Sequence, residues 1–375
     1  MTGKETNFSQ PSATPAGDGA VLVGLDIGGT KTEALIVDRG MNQLAQVVRP
    51  TEAGDPEKLI AGVKATVQEA LANSGKAAND IDAIGIAVPG LVDPATGTVR
   101  LAVNLNLVSY PLGPVISDSF RARGYLENDV RTGAMGAFRY ANRTERVRNL
   151  AYLSIGTGIA SGVILNGRLH RGVNGMAGEI GHVIMEPGGY RCGCGMPGCL
   201  EAVAAGPAVA RLGEEWIAAG INEEPITTRA VYAAAGRGDH DARRVVGQIS
   251  RYLARAIQLL IMAYDVEKVV LGGGVSRSGE AFLAPILAAL ADLRSQSDLA
   301  MAMLPDEKIL LLPANYSAGA WGAIILAQQA PDYSTNVGQG PAISDPDNSE
   351  PDSSGSDVSI PGPSGAKQKM EVIGE

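Results

Sequence analysis

Two periodicities alternate along this chain. VLVGLDIGG, from Val21, is an apolar run that ends in glycines, and TKTEALIVD, from Thr30, repeats every two residues as a strand does. PEKLIAGVKATVQEALANSG spaces its apolar residues at helical intervals and stops at Gly75. AIGIAVPG returns to a buried strand with a glycine stop, and NLAYLSIGTG with ASGVILNG form a second strand–turn–strand pair. DARRVVGQISRYLARAIQLLIMAYD predicts a long helix capped by Asp241 or a neighbour. KVVLGGG reads as a short strand and AGAWGAIILAQQA as a closing helix. Strands alternating with helices predict an α/β fold with parallel or mixed sheets.

One segment recurs. LDIGGTKTEALIVDRG (25–40) lies over LSIGTGIASGVILNGR (153–168) without a gap, each a strand, a glycine turn and a strand. Such hairpins are common, but two facing each other would hold a polyphosphate between two similar domains.

Length sharpens that picture. At 375 residues the chain exceeds the about 250–300 at which single cores stop growing, so two domains are expected. Residues 1–19 and the acidic tail 331–375 are rich in Ser, Pro, Gly and polar residues, and read as disordered. The net charge of -9 argues against a nucleic-acid partner, which needs a basic face, and against a membrane surface. No apolar run reaches the roughly 20 residues of a membrane span, and the N-terminus has no signal-peptide core, so a cytoplasmic protein is expected.

The glycine turns suggest phosphate chemistry. Asp26, Gly28, Gly29, Thr30 and Lys31 follow a buried strand, where bare backbone N–H groups can cradle an anion. Thr30 offers a hydroxyl, Lys31 a charge, and Asp26 an oxygen ligand for hydrated Mg²⁺. This is neither a P-loop nor a dinucleotide fingerprint, because no helix follows it; a plain β-turn is the simpler alternative. Gly156, Thr157 and Gly158 are the matching element of the second half. Gly272, Gly273 and Gly274 form a third cluster, over which a base or ribose would lie, or else a strand-to-helix turn.

Asn128 and Asp129 open a helix-like stretch. A hydroxyl attacking a γ-phosphoryl group must lose a proton, and a placed carboxylate accepts it, which makes Asp129 the candidate base and Asn128 a hydroxyl ligand. The same pair would also serve as a helix cap. The cysteines, Cys192, Cys194 and Cys199, all fall in one stretch after His182. Clustered thiols with one histidine suggest a filled tetrahedral zinc site, structural rather than catalytic, in preference to three buried free thiols. Glu179, His182 and Glu201 bracket it and would face a sugar.

In the order DIGGTK, AVPGLVD, LENDV, SIGTGI, GEIGH, CGCGMPGCLE and VVLGGGV, the chain resembles the ROK family of the actin-like/hexokinase ATPase superfamily over residues 21–330. The resemblance implies two RNase H-like domains flanking a central cleft, with transfer of the ATP γ-phosphate to a sugar. It implies Asp129 as base and sugar contacts from Gly90, Asn104, Asn128, Glu179, His182 and Glu201. Zinc would sit on His182, Cys192, Cys194 and Cys199. The stretch LAVNLNLVSYPLG lacks the tryptophan usual there, and Asn106 competes with Asn104 for the same role. The implied division is an N-terminal α/β domain over 20–135, completed by a helix near 315–330, and a C-terminal α/β domain over 136–314 with zinc loop 182–199. A homodimer or homotetramer is expected.

The expected activity is a glucokinase, with fructose, mannose, allose or an N-acetylhexosamine as alternative acceptors. A sugar-sensing regulator of the same family would carry a DNA-binding domain, and only about 20 residues precede the first strand here. An actin-like or chaperone ATPase would leave GEIGH and the cysteine cluster without purpose.

Overall fold

The computed structural model describes residues 19–216, 226–329 and 339–342. It opens with three antiparallel strands, β1 (Val21–Ile27), β2 (Lys31–Asp38) and β3 (Gln43–Pro50). Helix α1 (Pro56–Ser74) starts where the Asp55 carboxylate accepts from the Glu57 N–H, and ends at Gly75, whose φ of 67° suits glycine. β4 (Ile81–Val88) runs parallel to β1. A small antiparallel sheet follows, β5 (Leu91–Asp93), β6 (Thr98–Ala102) and β7 (Leu107–Tyr110). Helix α2 (Leu112–Phe120) then leads to β8 (Arg123–Asn128), parallel to β4, which completes the order β3-β2-β1-β4-β8.

Helix α3 (Asp129–Ala141) leads to the second sheet. Its antiparallel strands are β9 (Leu150–Ile155), β10 (Ile159–Leu165) and β11 (Arg168–His170). After a long loop come α4 (Leu200–Ala204), α5 (Gly206–Trp216), α6 (Thr228–Gly236) and α7 (His240–Tyr264). The cap of α7 is Asp239, two residues before Asp241; its carboxylate accepts from the Ala242 N–H. β12 (Lys268–Gly272) pairs parallel with β9. α8 (Glu280–Arg294), α9 (Asp298–Met303) and β13 (Ile309–Leu311), parallel to β12, precede helix α10 (Ala318–Gln328). β14 (Gln339–Ala342), within the stretch read as disordered, pairs with β11. Residues 1–18 and the rest of the tail lie outside the described residues.

The two larger sheets share a plan of three antiparallel strands followed by two parallel ones, β1-β2-β3 with β4 and β8, and β9-β10-β11 with β12 and β13, to which β14 adds a sixth strand in the second. The repeat seen in the sequence is real as a pair of hairpins, but not gapless. Ile27 pairs with Thr32 across a four-residue turn, whereas Ile155 pairs with Ile159 across three. A Gly28 N–H to Lys31 carbonyl bond closes the first turn, and a Gly156 N–H to Gly158 carbonyl bond the second, both at 2.9 Å. One residue fewer shifts the pairing by one, which flips every later side chain to the other face.

The described residues belong to one compact unit and do not divide into two flanking domains. What links the sheets is α10. From Ala320 to Ala327 it is buried on every side. Ala320 and Ile324 pack on Leu22, Leu35 and Ala83 of the first sheet, while Ile325 and Leu326 join a core with Met135 and Phe138 of α3 and Leu150 of the second. The other face of β1, with Val23, Leu25 and Ile27, packs on Leu59, Val63 and Val67 of α1. β1 and β2 are therefore covered on both faces, which is why Ala34, Leu35, Ile36 and Val37 are all buried where the two-residue period suggested one wet face. Among the described residues no helix is long and apolar enough to cross a membrane.

Candidate active site

Asp26 sits at the end of β1, beneath the first turn of α10, where a Cβ on Gly319 would collide with its carboxylate. Burial, then the charges of Asp129 and Glu33, raises its pKa to about 7 against the opposing pull of Lys31 and Arg277. Lys31 is already engaged, with its ammonium 2.9 Å from Glu33. Burial works to raise the Glu33 carboxyl, but a Ser317 hydrogen bond and Lys31 outweigh it and hold it low.

Asp129 is the first residue of α3. Burial, with the Glu179 charge adding, pushes its carboxyl up, although it accepts the Val130 N–H at 2.9 Å. Asn128 performs the capping: its Oδ1 accepts from the N–H groups of Val130 and Arg131, and its Nδ2 donates to the Gly90 carbonyl at 3.1 Å. Asp26, Thr30, Lys31, Asp129 and the 272–274 loop line one cavity of about 360 Å³. A second, of about 700 Å³, is lined by Gly156, Thr157, Gly206, Thr228 and Gly274 among others.

Three glycines of the predicted phosphate turns line neither cavity, and nor does Gly90. Gly28 closes the first turn. Gly29 backs onto Asn104, whose Cβ lies 3.3 Å from where a Gly29 Cβ would be. Gly158 makes room for Glu201, whose Oε2 accepts the Ile159 N–H at 3.0 Å. Asn106, the competitor of Asn104, has its backbone at φ 55° and donates its side-chain amide to the Gly54 carbonyl at 2.9 Å, so it is engaged elsewhere. Gly178, at φ 93°, passes so close to β10 that a Cβ would fall on the Ser161 carbonyl, and the next residue, Glu179, is near enough for its charge to act on Asp129.

His182 ends a short 3-10 turn, and its Nδ1 lies 3.7 Å from the Cys192 sulfur, with the Cys194 and Cys199 sulfurs 3.6 Å apart. All four ligand atoms fall within 4.8 Å of one another. Zinc–sulfur bonds of about 2.3 Å and a zinc–nitrogen bond of about 2.0 Å require separations of this size. The Cys192 N–H bonds the Met196 carbonyl, and Gly195 and Gly198 take positive φ, so the loop wraps tightly. It docks through Tyr190, whose hydroxyl meets Glu215 at 2.7 Å and whose ring lies 3.7 Å under Arg211. Cys192 also approaches Glu201, at 3.8 Å, which ties the cluster to the putting-together of β10 and α4.

Several further residues belong to the site without a motif to mark them. Ser154 and Tyr152 line the first cavity; Ser154 is the residue that the overlay sets on Asp26, and that was its available signal. Arg277 lines both cavities. Glu127 is fully buried between Arg131, at 3.2 Å, and Arg171, at 2.7 Å, which pins the segment leading to Glu179 against β8, the strand that ends just before Asp129. An ion pair 44 residues apart leaves no local pattern to read.

The ROK family model matches residues 22–330. A glucokinase of Halalkalibacterium halodurans is 33% identical over 279 residues, 70% of this chain and 83% of that protein. An N-acetylmannosamine kinase of Haemophilus influenzae is 30% identical over 273 residues, 72% of this chain and 86% of the other. The crystal structure of a ROK family glucokinase from Streptomyces griseus, in complex with glucose and AMPPNP, aligns with a TM-score of 0.69 at 28% identity, over 83% of this chain and 100% of that one.

Proposed function

The chain belongs to the ROK family and is a sugar kinase; we propose that it transfers the γ-phosphoryl group of Mg·ATP to the 6-hydroxyl of a hexose, glucose first, with Asp129 as general base. The observation that carries this is the sharing of one cavity by the Asp129 carboxyl, Thr30 and the 272–274 loop. In this reading ATP lays its phosphates along the 28–31 and 156–158 turns and its adenosine in the larger cavity. The sugar lies between Asn104, Asn128, Glu179, His182 and Glu201, with Gly90 behind Asn128. Asp129 accepts the hydroxyl proton as attack proceeds, and burial makes its carboxylate a stronger base than an exposed one. Closure of two halves over the cleft would exclude water, the competing acceptor.

Asp26 is the oxygen ligand placed to hold hydrated Mg²⁺: a buried carboxyl beside two other carboxyls favours a divalent cation. The ion would supply neutralisation of phosphate charge. The thiol–imidazole set fits zinc in number, donor type and spacing, and four protein ligands leave no open position, so the zinc would be structural. With Nδ1 toward the metal, His182 keeps Nε2 for a sugar hydroxyl. Cys194→Ser is expected to lower zinc, measured by plasma mass spectrometry, well below one per chain and to raise the KM for sugar; full zinc would show the ligand set to be wrong.

N-acetylmannosamine is the second acceptor to consider, because the relative named for it is nearly as similar as the glucokinase. A coupled ADP-release assay over glucose, mannose, fructose, allose, glucosamine, N-acetylglucosamine and N-acetylmannosamine decides. Glucose far above the rest is the expected outcome. A preference for N-acetylmannosamine replaces glucose, and no turnover with any sugar sinks the kinase reading.

A further inference from the structure

We propose that Arg277 grips the phosphate chain of the nucleotide where it passes between the two cavities, an inference that rests on the kinase reading. Arg277 lines both the cavity of about 360 Å³ holding Asp26 and Asp129 and the neighbouring one of about 700 Å³ beside Gly156 and Thr157. Its place is set by its neighbours. The 3-10 turn Val275–Ser278 follows the 272–274 loop; Val275 and Ser276 are buried, and the Ser276 hydroxyl donates to the Gly273 carbonyl at 2.9 Å. With both preceding residues anchored, the exposed Arg277 side chain is left at the junction.

Charge makes the same point. The inner cavity carries Asp26 and Asp129, with Glu33 and Glu179 close enough to raise them. A polyanion entering there needs a cation. Lys31, the cation of the first turn, is paired with Glu33 at 2.9 Å. Arg277 has no hydrogen-bond or ion-pair partner among the described residues, while its charge acts on both Asp26 and Tyr152 from across the cavity. A guanidinium is a planar fork of five donors matched to phosphate oxygens, and it holds its charge at any working pH. An unpaired fork at the mouth between a base-sized and a phosphate-sized space suits the α- and β-phosphates, whereas the transferred group lies deeper, by Asp129.

The test is calorimetric binding of Mg·AMPPNP and of adenosine to the full-length protein, as wild type, Arg277→Ala and Arg277→Lys. Removal of a charge-assisted contact is expected to weaken Mg·AMPPNP about ten- to a hundredfold. Adenosine affinity, the KM for sugar and the thermal midpoint should stay within twofold or a degree or so of wild type, and lysine should recover part of the loss. Equal Mg·AMPPNP affinity in Arg277→Ala and wild type overturns the proposal, as does an equal loss for adenosine, which would mark a packing role. Wild-type protein that binds Mg·AMPPNP but phosphorylates no sugar sinks the kinase reading alone, and the ratio of affinities still decides the role of Arg277. Failure of the wild type to bind the nucleotide overturns both.

Discussion

Asp129→Ala is expected to lower kcat for sugar phosphorylation by about 10²–10⁴-fold, the usual worth of a general base, with the fold and nucleotide affinity nearly unchanged. The fold should survive because the capping of α3 does not depend on Asp129. Its Oδ1 shares the Val130 N–H with Asn128, which also takes the Arg131 N–H. Turnover within tenfold of wild type would remove Asp129 as the base. The pH profile offers a second check. The base must be ionised to act, so kcat/KM falls as pH drops through its pKa, and burial together with Glu179 sets that limb above the ordinary carboxylate range. Glu179→Gln removes a negative neighbour and should move the limb to lower pH; an unmoved limb would mean that another group controls it.

Gly322→Ala is expected to cost about 3 kcal/mol or more of stability, the upper end for overpacking. A Cβ there would fall on the Thr132 carbonyl oxygen of α3, and one at Gly136, on the facing helix, would fall on the Ala318 carbonyl. Both obstacles are backbone, so no side chain can swing away, and α3 and α10 would have to separate. That separation would also disturb the placing of Asp129 at the start of α3 and of Gly319 against Asp26. Gly236→Ala is the control: nothing lies within 4 Å of its Cβ position, so its thermal midpoint should match wild type or rise slightly. Equal midpoints for the two variants would show that the helices part without cost.

The elements that carry chemistry were legible because glycines punctuate them. The strands ending at Ile27, Val88, Ile155 and Gly272 stand next to motifs that also identify the family. The clustering of His182 with three cysteines was equally plain, since the four lie within 18 residues of one another and the glycines between them let the loop fold back on itself. The small sheet over Leu91–Tyr110 was not legible: strands of three to five residues broken by glycine carry no measurable period. The repeat was seen, but a one-residue difference in turn length cannot be read from similarity, because it shows only in the pairing of Ile155 with Ile159. Lys31 was read as a charge for a phosphate, yet Glu33, two residues on and on the same side of β2, holds it. Arg277 and Glu127 gain meaning only from what lies opposite them.

The place of α10 bears on how the chain comes off the ribosome. The first sheet is complete once Asn128 has been made, yet the face carrying Leu22, Leu35 and Ala83 is covered by a helix that begins only at Ala318. At about 5–20 residues per second, the roughly 190 residues between them take about 10–40 s to synthesise. For that time the nascent N-terminal half presents an apolar sheet face to the cell, a natural site for a chaperone to hold. Any chain released before Ala318 keeps that face bare.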